Sequence, residues 1–464
     1  MIYRLSSRLA HLSRRVLANE LMRRVVKNSG YLFSSTIITS AISMLQSILA
    51  ARLLGVAAFG VLGVITMFTT VLNKLISFRM GELVVKYVGQ FTESGDPRRA
   101  AAVYKAAALL EIAASLLTYG LVWLLAPLGA RYFAKDPATV NWFLFYGVVV
   151  LANLIAESSA GLLQIFDRFR RISAVNVAAS LMTLSIILVV SLTKGGFQGI
   201  LTAYVAGKAF GAVGMSLLAL QEAARRWGKG WWRTPVTLLR PQSRQLIRFA
   251  VNTNLSASLS LITKDSELLW VSLLRSPLEA GYYKVALSLA NIIQLPISPL
   301  PLATYPELSR EAARNNWRNV RYILRQGSLL AGSYTLAVSL GLLVLGQPIL
   351  RLIYRPEYLP AYPALLILLG GYLVANTFYW NRVALLAIGL PEFPTKVNLA
   401  LAVVKIVAIF ALVPLYGYLV CAALLAGSYI FGVNLAVVRF RAELVRREHA
   451  PLPGVQTGSA PYKD

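Results

Sequence analysis

The stretch SAVNVAASLMTLSIILVVSL, residues 173–192, runs for 20 residues without one ionisable side chain. As a helix it is about 30 Å long, which is the thickness of the hydrocarbon core of a bilayer. A helix that is apolar all round must be covered on every side, by protein or by lipid. The rest of the chain is built in the same way. Of 464 residues 57% are hydrophobic and 14% are charged, against about 25% charged in a typical soluble domain. Twelve apolar runs are long enough to span, near 31–50, 56–78, 106–126, 139–163, 172–193 and 197–220, then 250–273, 281–303, 323–346, 362–388, 396–414 and 417–438. These runs predict an all-α, polytopic membrane protein of about 12 transmembrane helices.

Before the first run, residues 1–30 lack a continuous apolar core, so they are not a cleavable signal peptide. Ile2, Leu5, Leu9, Leu12 and Val16 recur at spacings of three and four among seven basic residues. That pattern predicts an amphipathic helix lying on an anionic membrane surface. The expected organisation is this basic segment, a six-helix lobe over 31–220, a linker over 221–249, a second six-helix lobe over 250–438, and a tail over 439–464.

The net charge of +27 acquires meaning from its distribution. With both termini on the cytoplasmic side, the loops and ends on that side collect 33 basic residues and the opposite loops only 7. This bias orients the chain in a cell membrane. The basic residues are spread over alternate loops and not gathered on one face, which excludes a nucleic-acid partner. The RRWGKGWWR run at 225–233 reads as a lipid-headgroup anchor. One cysteine, Cys421, and two terminal histidines, His11 and His449, leave no ligand set for a metal and no basis for a cofactor.

The chain also repeats itself. LLGVAAFGV (53–61) joins the first two runs, and LLRSPLEAGYYKV (273–285) joins the seventh and eighth, matching Gly60 to Gly281 at an offset of 221. SAVNVAASL (173–181) matches TKVNLALAV (395–403) at 222, with Asn176 against Asn398. Six spans is an even number, so the duplicated halves share one orientation. They form two pseudo-symmetric lobes about an axis along the membrane normal, with cargo bound in a central cavity.

Against this background ITKDSELLW (262–270) is anomalous, because it puts Lys264, Asp265 and Glu267 inside a spanning run. Each charge facing lipid at mid-depth costs about 2.5–3.5 kcal/mol. The basic residues within spans are Lys74, Lys208, Lys264, Lys284, Arg382 and Lys405; the acidic ones are Glu111, Glu157, Asp265 and Glu267. Lys74 and Lys284 lie near span ends and snorkel. Lys208, Lys264 and Lys405 lie too deep for that. On a helix Lys264 and Glu267 form an i,i+3 pair, with Asp265 about 100° away. The surplus of positive charge suits an anionic cargo such as a pyrophosphate headgroup. Lys208, Arg382 and Lys405 are cargo candidates on depth and charge. Glu111, Glu157 and Glu267 are candidates for coupling to protons or sodium, with interhelical salt bridging as the alternative.

At ARLLGVAAFGVLGV (51–64) the sequence resembles the polysaccharide-repeat flippases, Wzx-type, of the multidrug/oligosaccharidyl-lipid/polysaccharide exporter (MOP) superfamily. Ala51, Arg52, Leu54, Gly55, Phe59 and Gly60 carry the likeness, with Asp265, then Gly281-Tyr282-Tyr283, and the YPELSR run at 305–310. The resemblance implies transfer of a polyprenyl-pyrophosphate-linked oligosaccharide from the inner to the outer leaflet, by alternating access, for cell-surface polysaccharide biosynthesis. It implies cargo contacts at Arg52, Lys264 and Asp265. It also implies membrane lipids and polysaccharide polymerase or ligase machinery as partners. The rival within the superfamily is a cation-coupled multidrug or small-molecule exporter, for which a cavity of the opposite sign is expected. An enzyme acting on the same lipid would need a large outer loop. The longest, near 347–361, offers only Arg351, Arg355 and Glu357, so no catalysis is expected.

Cysteine labelling in intact cells is expected to place residue 170 inside and residue 277 outside. The reverse pattern would overturn the orientation.

Overall fold

A computed structural model describes residues 20–260, 266–390 and 392–448. The amphipathic reading of residues 1–19 and the two charges Lys264 and Asp265 therefore lie outside the described residues. Among those described there are helices and no strands. Among the described residues nine helical runs are long and apolar enough to cross a membrane.

The first helix, α1 (Glu20–Ile76), is broken at Gly55 (φ 74°, ψ 172°). That backbone conformation is open essentially to glycine alone, so Gly55 divides the 44-residue apolar stretch Phe33–Ile76 into the first two predicted spans. Then come α2 (Met80–Glu93), α3 (Pro97–Leu128), α4 (Val140–Ala152), α5 (Ala156–Ile165), α6 (Phe169–Thr193) and α7 (Gly196–Trp227). The rest of the chain forms α8 (Ser243–Ser260), α9 (Glu267–Leu274), α10 (Pro277–Gln294), α11 (Leu300–Ala313), α12 (Trp317–Ile349), α13 (Ala361–Thr377), α14 (Asn381–Ala387), α15 (Glu392–Tyr416) and α16 (Tyr418–Glu448).

The predicted spans 139–163 and 362–388 are each parted into two helices, α4 and α5, and α13 and α14. Within 250–273 the described residues give α8 up to Ser260 and α9 from Glu267, and 281–303 is split by a turn over residues 295–299. Pro296 and Pro299 in that turn cannot donate to a helical ladder, and hydropathy alone does not register this. The stretch 79–105, read as a connector, instead holds α2 and the capped start of α3, where the Asp96 carboxylate accepts from the Arg99 N–H at 2.9 Å.

The element lengths recur along the chain. Helices α2 and α11 have 14 residues each and start 220 positions apart; α6 and α15 have 25 each and start 223 apart. Helix α3 ends in a π-helical turn, Gly129–Ala134, after Pro127. Helix α12 ends in another, Leu350–Tyr354, after Pro348. In both, the proline withdraws one backbone donor and the ladder slips to the wider register.

The chain divides into two compact units. The first comprises Met1–Leu289, Leu345–Leu365 and Lys405–Ala422. In it α1 and α10 cross on glycine. A Cβ at Gly60 would fall 1.8 Å from the Pro277 carbonyl oxygen, and one at Gly281 would fall 2.4 Å from that of Val56. Val56 and Pro277 are themselves 221 apart, like the two glycines, so the crossing is reciprocal, as in a two-fold interface. Helices α6 and α7 pack on a second small-residue seam. Added Cβ atoms at Gly207 and Gly211 would meet the Thr183 hydroxyl at 1.7 Å and the Ala179 Cβ at 3.1 Å. Such seams let backbones approach where lipid gives helices no hydrophobic reason to associate.

The second unit comprises Ala290–Val344, Leu366–Val404 and Ala423–Asp464. Its core gathers Leu308, Trp317, Leu324, Trp380, Leu385 and Phe440. The break between α13 and α14 is held by side chains: the Trp380 indole N–H donates to the Ser328 hydroxyl at 2.7 Å, and the Tyr379 hydroxyl lies 3.0 Å from that of Thr304.

Each unit carries one buried glutamate ringed by arginines. In the first, Glu222 meets Arg168 at 2.7 Å, Arg171 at 3.5 Å and Arg226 at 3.7 Å. In the second, Glu443 meets Arg447 at 2.9 Å, Arg439 at 3.5 Å and Arg446 at 3.9 Å. Glu222 and Glu443 are again 221 positions apart.

Gly60→Ala is expected to force α1 from α10 and to destabilise the protein by about 1–3 kcal/mol, the usual cost of overpacking. Thermal unfolding of the purified protein checks this, and a melting temperature equal to wild type would remove the glycine crossing from the account.

Candidate functional site

Within the first unit a cavity of about 710 Å³ opens among α1, α4, α5, α6 and α7, with one side chain from α10. The broken helix contributes both of its arms: Thr39, Ser43 and Gln46 precede Gly55, and Thr66 and Thr70 follow it. The Gln46 amide donates to the Ser180 carbonyl at 2.7 Å, which ties α1 to α6 across the wall. Asn153 and Asn176 add amides, and Tyr146 and Tyr204 add phenol rings.

Among the described residues two ammonium groups belong to the lining, Lys208 from α7 and Lys284 from α10, and no carboxylate does. The Lys284 ammonium lies 4.0 Å from the centroid of the buried Phe59 ring, a cation–π contact, worth about 2 kcal/mol when desolvated. Gly63 makes room for it, since a Cβ there would fall 2.8 Å from the Lys284 Cδ. The cavity therefore offers positive charge set among neutral hydrogen-bonding groups.

The other charges read from the sequence are placed differently. Lys405 is 3% exposed and Glu267 1% exposed, and the two form an ion pair to which the Tyr283 hydroxyl also donates. This links α15, α9 and α10, and it gives Glu267 a partner 138 positions away; the predicted partner, Lys264, lies outside the described residues. Glu111, 6% exposed, caps α5. Its carboxylate accepts from the N–H groups of Glu157 at 2.8 Å and Ser158 at 3.0 Å, and from the Ser158 hydroxyl at 2.6 Å. A buried carboxylate thus satisfies the donors freed where α4 and α5 part. The Glu157 side chain lines a smaller adjoining compartment. Arg52 and Arg382 are exposed on α1 and α14. Of the six residues read as cargo contacts, Lys208 is the one in the cavity lining among those described.

Sequence reasoning missed Lys284 by assigning it to the end of a span. The helix begins earlier, at Pro277, and its neighbour Phe59 lies 225 positions away. Asn176 was in view only as a marker of the repeat, although an amide in the middle of an apolar run is itself a signal of a polar cavity.

The architecture defines a multi-pass membrane protein with the transporter fold of the MOP superfamily. It superposes on an inward-facing multidrug resistance MATE family transporter of that superfamily with a TM-score of 0.68, at 15% identity over 88% of this chain and 95% of that one. It superposes on the lipid II flippase MurJ, in an inward closed conformation, with a TM-score of 0.67, at 16% identity over 90% and 89%. A third match, at TM-score 0.62 and 14% identity over 94% and 98%, is a MOP superfamily transporter from Pyrococcus furiosus described as having a binding pocket of reverse polarity. In sequence, residues 25–311 match the polysaccharide biosynthesis protein family, and the chain belongs to that family. The inner membrane protein YghQ of Escherichia coli (strain K12) is 22% identical over 345 residues, covering 74% of this chain and 96% of that protein.

Lys405→Met should destabilise the protein by about 3–5 kcal/mol, because it strands a buried carboxylate. Adding Glu267→Gln, which removes the charge, should recover most of the loss. Thermal unfolding of the single and double variants decides the matter: equal melting of Lys405→Met and wild type would show that the pair does not hold α15 to α9.

Proposed function

We propose that the protein is a flippase that carries a polyprenyl-pyrophosphate-linked oligosaccharide from the inner to the outer leaflet of the cell membrane. The observation that carries this reading is the sign of the cavity. Among the described residues Lys208 and Lys284 line it together, and no carboxylate does. An ammonium held in hydrocarbon is expensive, and an anionic headgroup is the ligand that offsets the expense. The hydroxyl and amide groups around the lysines replace water on the polar part of the cargo, while the polyprenyl tail stays in lipid. Membership of the polysaccharide biosynthesis family supports an oligosaccharide headgroup, and the shared fold with a lipid II flippase supports a lipid-linked one.

The excess of basic residues on one set of alternate loops supports an orientation with both termini inside and the cargo loaded from that side. Transport then requires that cargo favour one arrangement of the helices over another, since a ligand shifts only an equilibrium between states it distinguishes. A cation-coupled multidrug exporter is the second reading. Its lipophilic cations would meet two like charges in this cavity.

Thermal unfolding tests the choice. Geranylgeranyl pyrophosphate at about a hundred times its Kd should stabilise the protein by about 2.7 kcal/mol. Geranylgeraniol, the uncharged alcohol, should not. The shift should vanish in the Lys208→Gln, Lys284→Gln double variant. Stabilisation by tetraphenylphosphonium and none by the pyrophosphate would overturn the flippase in favour of the exporter.

A further inference from the structure

A second compartment, of about 510 Å³, adjoins the cavity and shares Ala160 of α5 as a wall. The two follow one another along the same helices. On α1 the lining passes from Thr70 in the cavity to Asn73 and Lys74 in the compartment, and on α5 from Ala156 to Glu157 and Gln164. The chemistry changes at that boundary. Among the described residues the cavity holds cations and neutral groups alone. The compartment holds both signs, with Lys74, Arg79, Lys86, Glu82 and Glu157 in its lining together with the amides of Asn73 and Gln164.

Part of this charge is already balanced: Arg79 and Glu82 form an ion pair at 2.7 Å. Arg79 occupies the left-handed region (φ 46°, ψ 52°) in the tight turn between α1 and α2. Such a conformation is unusual for a residue with a side chain and recurs at ligand clamps. The turn brings the end of α1 and the start of α2 to one wall, so that Lys74 and Lys86 share the compartment with Glu157.

Carboxylates and a phosphate repel one another, whereas a carboxylate accepts hydrogen bonds from hydroxyl groups and an amide both donates and accepts. A mixed-charge, amide-bearing compartment is therefore poor for a pyrophosphate and good for a polyol. We infer that the two compartments form one bipartite site: the pyrophosphate lies at Lys208 and Lys284, and the first sugars of the glycan lie between Glu157, Gln164, Asn73 and Lys74. This rests on the flippase reading and extends it by assigning a glycan subsite, with Glu157 and Gln164 as its hydrogen-bonding partners. The compartment then selects among sugars, while the cavity reads only the phosphate.

Protection of introduced cysteines tests the inference. In a Cys421→Ala background, Ser43→Cys reports on the cavity and Gln164→Cys on the compartment; both positions are exposed. Maleimide labelling is followed with three probes: geranylgeranyl pyrophosphate, the same lipid carrying one N-acetylhexosamine on its pyrophosphate, and the free N-acetylhexosamine. Both lipids should slow labelling at residue 43, by roughly tenfold at about ten times their Kd. The sugar-bearing lipid alone should slow it at residue 164. Protection of residue 43 with none at 164 by the sugar-bearing lipid would overturn the glycan subsite and leave the flippase standing. Absence of protection at residue 43 by either lipid would remove the flippase reading and the subsite with it. Protection of residue 164 by the free sugar, without protection by the lipids, would make the compartment a soluble-sugar site and also overturn the inference.

Discussion

Hydrocarbon does not solvate an ammonium ion, and the architecture of the first unit is arranged around that fact. Three of the lysines within its helical runs find three different solutions. Lys405 is neutralised by Glu267 and sealed from solvent. Lys284 rests against the Phe59 ring. Lys208 projects into a cavity walled by hydroxyl and amide groups. The first solution is closed and serves to join helices, because both charges are used up by each other. The other two leave positive charge facing a space large enough for a ligand. What separates the packing lysine from the two that face the cavity is whether, among the described residues, a carboxylate stands within reach, and depth in the membrane does not decide it.

The same constraint acts on the backbone. Wherever a helix breaks inside the apolar runs, the freed donors and acceptors must be met by protein. The Glu111 carboxylate meets them at the start of α5. Side chains steady the break between α13 and α14, where the Asn381 amide also donates to the Phe378 carbonyl at 2.8 Å. Gly55 takes a different route, bending α1 within a conformation that other residues avoid. These breaks are useful as well as tolerated. By dividing α1, the break at Gly55 lets polar side chains from both of its arms line one cavity, and the turn between α4 and α5 adds Asn153 to the same lining.

Much of the fold was legible in the sequence because hydropathy is a local property. The run at 173–192 became α6 almost residue for residue. The offset near 221 that links Gly60 to Gly281 and Asn176 to Asn398 reappears in helix lengths, in the paired π-helical turns, and in the arginine-ringed Glu222 and Glu443. The failures have local causes of another kind. Pro296 and Pro299 break a run that is apolar enough to span, and the stretch 79–105 hides a 14-residue helix, because a window that averages hydropathy is blind to capping and to missing N–H groups. The site was less legible, since its partners are distant in sequence. Nothing near Glu267 points to Lys405, nor anything near Glu111 to Ser158, and the rotation of α10 that turns Lys284 toward Phe59 is set by the Gly60–Gly281 crossing.

That crossing bears on the chemistry through geometry. Phe59 and Gly63 flank Gly60 on α1, and Lys284 stands three residues beyond Gly281 on α10, less than one helical turn. The backbone contact that lets the two helices touch also fixes how far the lysine reaches, onto the ring of Phe59 and past the bare Cα of Gly63. The motif that carries the sequence repeat is therefore the one that positions a cavity cation. A side chain at either glycine would separate the helices, and the ammonium would then reach the cavity at another depth or lose its aromatic support. The glycine pair that joins the helices and the charge at the cavity wall thus depend on a single close approach, so a change that alters the packing alters the cavity with it.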